Sequence, residues 1–257
     1  MRILGKIWWM PLIIYLVITP AFMSDRMDSV PCRKIEVTIK DSNDYRFVTS
    51  ERIFGLVQNE KNPVLGGPTG EIEMESIEKE VLKLKELERA EVYHTIDGTL
   101  HVDADQRDPM MRLINRYGRT VYLDVNGMII PYSRYFTPRV LVVSGYIEIP
   151  EKAIRQGNIN SMDYNSIVRK VFRLAGYVTK DDFWSGQVEQ IWVNPQQELE
   201  IVPRAGNHII KFGAADNYIK KFNYLETLYT DALPKVGWDS YREINLRYDG
   251  QIICKKR

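Results

Sequence analysis

The chain has 257 residues and a formal charge of +1, because 35 basic side chains are offset by 34 acidic ones. This balance excludes the strongly basic field with which nucleic-acid-binding proteins attract phosphates. The length suits one large domain or two smaller ones, and the composition, with 27% charged and 11% aromatic residues, is that of an ordinary folded protein.

The first segment is an uncharged apolar run over residues 7–22, preceded by Arg2 and Lys6. At about 1.5 Å of rise per residue, this run reaches the short limit for a helix that crosses a hydrocarbon core of roughly 30 Å. The basic residues before it predict a cytoplasmic N-terminus and export of the rest of the chain. Residues 1–26 therefore form a cytoplasmic stub and a transmembrane helix, with the anchor at Ile7, Trp8, Trp9, Leu12, Ile13, Ile14, Leu16, Val17 and Ile18. A cleaved signal peptide is the alternative, since Thr19-Pro20-Ala21 loosely resembles a cleavage site.

Residues 32–105 predict a compact α+β unit in the order strand, helix, helix, strand, strand. Residues 34–40 alternate with the period of a strand, and apolar residues recur at helical spacing over 49–58 and 71–89. A hairpin turn with Gly98 in the left-handed conformation sets Val92 opposite Val102 and Ala90 opposite Ala104. The two helices are expected on one face of the three-stranded sheet, and residues 59–70 are expected to form a loop.

Residues 106–257 predict a mostly antiparallel β domain with flanking helices. Asn126-Gly127 is a hairpin signal, and strands are predicted at 140–143, 188–193, 199–203 and 208–212. Helices are predicted over 162–175, closed by Gly176, and over 216–233, closed by Pro234. Residues 244–257 are strand-like to the end, so a sheet built in chain order has this segment at or near an edge.

Nothing in the sequence indicates an enzyme. His94, His101 and His208 are scattered, and the hairpin register puts the first two on opposite faces, so they should not share a metal ion. The sequence contains no nucleophile, phosphate-binding or dinucleotide-binding motif. We expect no cofactor, no metal, no nucleic acid and no small-molecule substrate. Cys32 and Cys254 are compatible either with one disulfide or with two thiols.

Three local patterns together resemble one family. Gln106-Arg107-Asp108-Pro109 is similar to a Glu-Arg-x-Pro junction, residues 122–127 to an Asp-x-x-Gly hairpin, and residues 244–248 to an Asp-Leu-Arg-Tyr strand. In this order, behind one membrane helix, they resemble FtsQ/DivIB, the bitopic bacterial cell-division family, over essentially the whole chain. Gln106 and Asn245 replace acidic residues of the pattern, so the salt bridges of those acids cannot be assumed here.

The resemblance implies a POTRA domain next to the membrane, a β domain beyond it and a non-catalytic scaffold in the inner membrane at the division septum. It also implies partners of the FtsB/DivIC and FtsL type and a link to septal peptidoglycan synthesis. In the family, a partner segment adds to the sheet edge at the end of the β domain, and an open edge offers unpaired N–H and C=O groups to such a segment. The expected partner-binding residues are Arg247, Tyr248, Gln251, Ile252, Ile253, Cys254 and Lys255, with Arg247 and Tyr248 as anchors.

Two other functions stay open at this stage. One is a different periplasmic POTRA protein that handles exported polypeptides, and the other is a secreted enzyme with an unrecognised site. The basic tail, Lys255, Lys256 and Arg257, is interpreted either as a contact for an acidic partner helix or as protection against aggregation of the edge.

Overall fold

The computed structural model describes residues 12–16, 30–40, 46–59 and 63–257. The chain divides into two compact units, Met1–Gln106 and Arg107–Arg257, each of which mixes helices with a sheet. Both cysteines are free thiols; Cys32 is buried and Cys254 is partly buried.

The apolar run near the N-terminus is described only at residues 12–16, which are helical. The side chains of Leu12, Ile13, Ile14 and Leu16 are exposed, and the other predicted anchor residues, Ile7, Trp8, Trp9, Val17 and Ile18, lie outside the described residues. Within the part of the chain that the structure describes, no helix is both long and apolar enough to cross a membrane. The anchor therefore stays a prediction.

The first unit is a three-stranded sheet covered by two helices. Its elements are β1 (Lys34–Ile39), α1 (Ser50–Val57), α2 (Met74–Val81), β2 (Leu87–His94) and β3 (Thr99–Gln106). Strand β3 is central, parallel to β1 and antiparallel to β2. Helix α1 packs against β1 and α2, and α2 packs against β2. The side chain of Thr49 accepts a hydrogen bond from the N–H of Arg52 and so caps α1, as the sequence predicts.

The hairpin between β2 and β3 has the predicted register. Val92 lies opposite Val102 and Ala90 lies opposite Ala104. Gly98 has a φ of +85°, and a Cβ at this position would lie 2.5 Å from the carbonyl oxygen of Pro31. The turn therefore requires glycine both for its backbone conformation and for space.

The helix predicted over 71–89 is wrong at both ends, since α2 has only eight residues. Leu84 and Leu87 are both buried, which explains why their spacing matched a helix, but Leu87 opens strand β2. Between them, the buried carboxylate of Glu86 accepts a 2.8 Å hydrogen bond from the guanidinium of Arg52 on α1. This long-range ion pair holds the turn in place, and local periodicity carries no information about it.

The second unit, which is described throughout, contains one nine-stranded sheet. Its strands are β4 (Pro109–Asn115), β5 (Thr120–Asp124), β6 (Ile129–Pro131), β7 (Leu141–Gly145), β8 (Val188–Val193), β9 (Leu199–Pro203), β10 (Ile209–Gly213), β11 (Tyr241–Asn245) and β12 (Ile253–Lys256). Their order across the sheet is β12-β11-β10-β9-β8-β7-β4-β5-β6. The strands predicted around Asn126-Gly127 and at 140–143, 188–193, 199–203 and 208–212 are confirmed within about a residue or two at their ends. Strand β4 was not predicted from the sequence.

The helices of the second unit are α3 (Glu151–Gln156), α4 (Ile167–Lys180), α5 (Asp182–Gln187), α6 (Tyr218–Thr227) and α7 (Leu233–Val236), and a π-helical turn, Leu228–Ala232, joins α6 to α7. Helix α4 packs against β4 and β7, and α5 packs against β8. The ring of Phe222 on α6 contacts Phe212 of β10 and Trp184 of α5 at centroid distances of 5.1 and 4.8 Å. The sheet and these helices thus share one apolar core.

Two predicted helix ends are wrong. Helix α4 begins after Ser166, whose side chain accepts from the N–H of Arg169, and it continues through Gly176. Gly176 lies inside the helix beside β4, where an added Cβ would make an ordinary contact of 3.8 Å with the sulfur of Met110, so the residue does not cap the helix. Pro234 lies in the first turn of α7, a position that leaves no intrahelical N–H to be lost.

A substitution of Gly145, at the end of β7, tests the pairing of this strand with β8. Its φ is +112°, and an added Cβ would lie 2.2 Å from the carbonyl oxygen of Val193. We expect Gly145→Ala to lower the free energy of unfolding of the second unit by about 3 kcal/mol, because the backbone strain and the clash cannot both relax. Gly186→Ala on α5 is the control: no atom lies within 4 Å of its added Cβ, so we expect a gain of about 0.5 kcal/mol.

The measurement is urea unfolding of the full chain in detergent, followed by intrinsic tryptophan fluorescence, to which buried Trp184 contributes. Equal midpoints for the Gly145→Ala and Gly186→Ala variants would show that β7 does not approach β8 as described.

Candidate partner-binding edge

The nine-stranded sheet has two edges that differ in their hydrogen bonding. At β6, the N–H of Ile129 donates to the carbonyl of Gly157 at 2.7 Å, and the N–H of Ile159 donates to the carbonyl of Gly127 at 3.0 Å. Strand β6 also ends at Pro131, which has no N–H. Strand β12 pairs with β11 alone, and in the described part of the chain no other backbone segment bonds to its outer side. One edge is therefore covered and the other is open.

The backbone direction of β12 follows from one hydrogen bond of its neighbours. The N–H of Leu246 donates to the carbonyl of Lys211 on β10 at 2.9 Å. Since the polar groups of successive strand residues point to alternate sides, Glu243 and Asn245 direct theirs toward β12. Their partners there are Lys255 and Ile253. The N–H and C=O groups of the intervening Cys254, and of Lys256, consequently point outward at the open edge.

The side chains of β12 alternate between the two faces of the sheet. Ile252, just before the strand, and Cys254 pack partly against the core, whereas Ile253 is 45% exposed on the other face. Lys255 is also exposed, opposite Glu243 of β11. The open edge therefore presents one apolar side chain and one cation on the face that the helices leave free.

Arg247, Tyr248 and Gln251 lie in the loop of residues 246–252 that joins β11 to β12, so the prediction that residues 244–248 form one strand is wrong beyond Asn245. The side chain of Asn245 accepts the N–H of Arg247 at 3.0 Å, which turns the chain out of the sheet. Arg247 itself forms a 2.8 Å ion pair with Glu198. Tyr248 is 54% exposed and Gln251 is exposed, so both can be reached by a partner.

The far end of β12 is held by polar contacts with the turn before β10. The guanidinium of Arg257 donates to the carbonyl of Asn207 at 3.1 Å, and the amide of Asn207 donates to the carboxylate of Asp239 at 3.1 Å. The next residue, His208, is only 2% exposed, and its Nε2 lies 2.8 Å from the hydroxyl of Tyr229. Burial lowers the pKa of His208, and the backbone of Trp238 and the charge of Asp239 oppose this shift less strongly.

The junction pattern is anchored in both units. The side-chain oxygen of Gln106, which is buried, accepts the N–H groups of Phe47 and Val48 at 2.8 and 3.0 Å in the first unit. In the second unit, Arg107 donates to the carboxylate of Asp124 at 3.0 Å. The same carboxylate accepts two backbone N–H groups of the hairpin turn, each at 2.8 Å. Gln106 thus supplies one acceptor oxygen for two N–H groups without the charge of the acid that it replaces.

The comparison with known families agrees with these patterns. A family described as "FtsQ/DivIB, C-terminal related" matches residues 108–255, which is more than half of the chain. The chain belongs to the FtsQ/DivIB family. A POTRA-like domain matches residues 30–105, which include the three-stranded sheet. No curated protein matches the chain. The resemblance drawn from the three sequence patterns is therefore confirmed, and it makes the chain a division-associated protein.

Members of the FtsQ/DivIB family are generally non-catalytic division scaffolds. Among the described residues, no group of three or more His, Cys, Asp or Glu side chains could hold a metal ion. The open edge of β12 together with the loop before it is called the β12 edge (residues 246–257).

His208 gives the second unit of this FtsQ/DivIB chain a predicted acid sensitivity. In the unfolded chain the imidazole takes up a proton near pH 6.5, whereas in the folded chain its lowered pKa opposes protonation. The unfolded state then binds more protons, so the free energy of unfolding falls as the pH drops below about 6.5, by at most about 1.4 kcal/mol per pH unit. We expect His208→Gln to remove this component of the slope.

Urea unfolding between pH 5 and 8, followed by intrinsic tryptophan fluorescence, measures the effect. His101→Gln, in the first unit, is the control and should leave the slope of the second unit unchanged. An unaltered slope in His208→Gln would mean that another group causes the acid sensitivity.

Proposed function

We propose that this FtsQ/DivIB protein is a non-catalytic scaffold of the bacterial division machinery that captures its partners at the β12 edge. The partners are a pair of bitopic proteins of the FtsB/DivIC and FtsL type, and the complex is linked to septal peptidoglycan synthesis. The apolar run at residues 7–22 anchors the chain in the inner membrane, with the N-terminus cytoplasmic and the remainder periplasmic at the septum.

The observation that carries this proposal is the difference between the two ends of the sheet. Proteins normally cover or shorten an edge strand, because its free N–H and C=O groups are a template for another chain. The edge at β6 is covered by residues 157–159, and the edge at β12 is open. An added strand would satisfy the outward groups of Cys254 and Lys256, and side chains at alternate positions would give selectivity.

The short length of β12 limits what strand addition alone can supply. Four hydrogen bonds at about 1 kcal/mol each give about 4 kcal/mol, which corresponds to a dissociation constant near 1 mM before the costs of association are counted. A stable complex therefore needs side-chain contacts beside the strand. Tyr248 and Gln251 are placed for such contacts, because they precede β12 directly and are exposed.

The basic tail gives the edge a preference for acidic partners. Lys255, Lys256 and Arg257 are all exposed. A second copy of the same edge would bring like charges together, which is unfavourable between paired strands, whereas an acidic segment would be attracted. Protection against self-pairing and attraction of a partner are thus two results of one charge pattern.

Strand addition predicts a specific effect of proline at Cys254. Cys254→Pro removes an N–H that points away from β11, and edge strands tolerate proline at such positions. We expect this variant to fold and to lose capture of the FtsB/DivIC–FtsL-type pair, with at least a tenfold weaker dissociation constant. The matched control is Cys254→Ala, which keeps the N–H and should bind within about threefold of the original chain.

The measurement is co-purification of the full chain with the co-expressed pair from detergent-solubilised membranes, followed by a binding titration. Proline and alanine variants that capture the pair equally would contradict strand addition at this edge.

Localisation separates the scaffold from the two other functions. We expect a fluorescent fusion of the full chain to collect at mid-cell and the intact chain to stay in the membrane fraction. A uniform distribution along the envelope would favour a POTRA protein that handles exported polypeptides. A mature N-terminus near Phe22, determined by sequencing, would contradict the anchor and favour a secreted protein.

A further inference from the structure

A small cleft adjoins the β12 edge. It lies between α6 and the loop of residues 246–252 and has a volume of about 180 Å³. Three of the predicted partner-binding residues, Arg247, Tyr248 and Gln251, line it from the loop. The opposite wall belongs to α6 and the turn before it, with Asp216, Lys220, Lys221 and Tyr224. Gln251 brings the cleft to within two residues of β12, and the cleft was not apparent from the sequence.

The cations of the cleft differ in their partners. Lys220 forms a 2.7 Å ion pair with Asp249, and Arg247 forms one with Glu198. Lys221 is partly buried and donates to two backbone carbonyls, those of Phe212 and Ala214, at 2.8 Å each. In the described part of the chain, Lys221 has no carboxylate within ion-pair distance. Its positive charge is thus solvated by dipoles but not neutralised.

The environment of Lys221 favours a carboxylate ligand. An ammonium has three N–H donors, and the two carbonyls occupy two of them. Burial lowers the pKa of Lys221 despite the opposing fields of Asp216, Glu198 and Asp249, which means that its charge is incompletely compensated. A bound carboxylate would accept the remaining donor in a charge-assisted hydrogen bond, which is about twice as strong as a neutral one.

The volume of the cleft sets the size of the ligand. Pockets for drug-sized molecules occupy about 300–1,000 Å³, and a water molecule takes about 30 Å³ in the liquid. At about 180 Å³, the cleft accommodates one side chain of the size of Asp or Glu. Its position then identifies the source, because Gln251 lines the cleft and lies two residues before β12.

We propose that the cleft binds the carboxylate of an Asp or Glu side chain that flanks the partner strand paired with β12, and that Lys221 is the receptor for this carboxylate. This inference rests on the proposed function, because the strand paired with β12 brings the acidic residue to the cleft. It supplies the contact beside the strand that four residues of β12 need for a stable complex.

The test compares two adjacent lysines of the same cleft. We expect Lys221→Met to weaken capture of the FtsB/DivIC–FtsL-type pair by at least tenfold. Lys220→Met is the matched control and should change the dissociation constant less than threefold, because the charge of Lys220 is already neutralised by Asp249. Both dissociation constants are measured with the full chain in detergent, and thermal unfolding checks that each variant is folded.

A charge exchange identifies the acidic residue of the partner. Lys221→Glu is combined with Lys substitutions, one at a time, at each Asp and Glu of the partner segment, and one combination is expected to restore binding. A second readout keeps the original side chain: in the chain with ¹³C-labelled, unmodified lysines, partner binding should raise the pKa of Lys221, measured by NMR from the shift of its Cε. This readout decides the question even where Lys221→Met does not fold.

The outcomes separate this inference from the proposed function. Suppose that the original chain captures the pair and that Cys254→Pro does not. If Lys221→Met then binds normally and the partner leaves the pKa of Lys221 unchanged, the proposed carboxylate site is wrong, whereas strand addition at the β12 edge is still supported. If the original chain captures no such pair, the proposed function itself is wrong.

Discussion

The nine-stranded sheet of the second unit must end on both sides, and it does so in opposite ways. At β6 the chain folds back after α3 and gives the carbonyl of Gly157 to the last strand. At β12 the outward groups of Cys254 and Lys256 have no such cover in the described structure. Backbone groups of this kind are satisfied by water or by another strand, and only the second choice gives specificity. The proposed function of the unit rests on this difference between its edges.

The open edge is supported by the core. Strand β11 runs parallel to β10 and buries Ile244 and, just beyond its end, Leu246, and β12 is attached to β11 as a hairpin. The contact of Arg257 with Asn207 fixes the far end of β12. A strand held in this way loses little conformational entropy when a partner is added, which partly offsets its short length. The buried pair of His208 and Tyr229 lies directly beside this attachment, so conditions that disturb the pair act on the edge as well.

Local sequence signals predicted the parts of the fold that depend on local geometry. Gly98 defined its turn and register, and alternating residues located the strands at 188–193 and 199–203. The wrong predictions concern residues whose role is set by distant contacts. Leu84 and Leu87 fitted a helical period but belong to a turn and a strand that Glu86 fixes through Arg52. Gly176 was interpreted as a helix end, although it lies inside α4 against Met110.

In the candidate site, too, local sequence signals predicted one part, and contacts between distant residues determine the other. Its strand could be located from the sequence, since an apolar segment with a basic end was expected at a sheet edge. Its cleft could not, because Lys221 precedes the loop by more than twenty residues in the chain and lines one cleft with Tyr248 only in the folded unit. The ion pair of Arg247 with Glu198 could not be predicted from the sequence either. Because Arg247 is held by this ion pair, Tyr248, whose side chain is exposed, is the more accessible of the two expected anchors.

Selectivity at an open edge requires a reason why the protein does not pair with itself. Two copies of β12 placed side by side would bring six basic side chains, Lys255, Lys256 and Arg257 from each copy, into one small area. An acidic segment meets the opposite situation, because the same cations attract it and the charge of Lys221 beside the strand is not yet neutralised. Under the proposed function, the backbone of the edge would accept almost any extended chain, and charge would select the partner. Under this proposal, affinity would come from the backbone of β12, and discrimination from the cations of β12 and of α6.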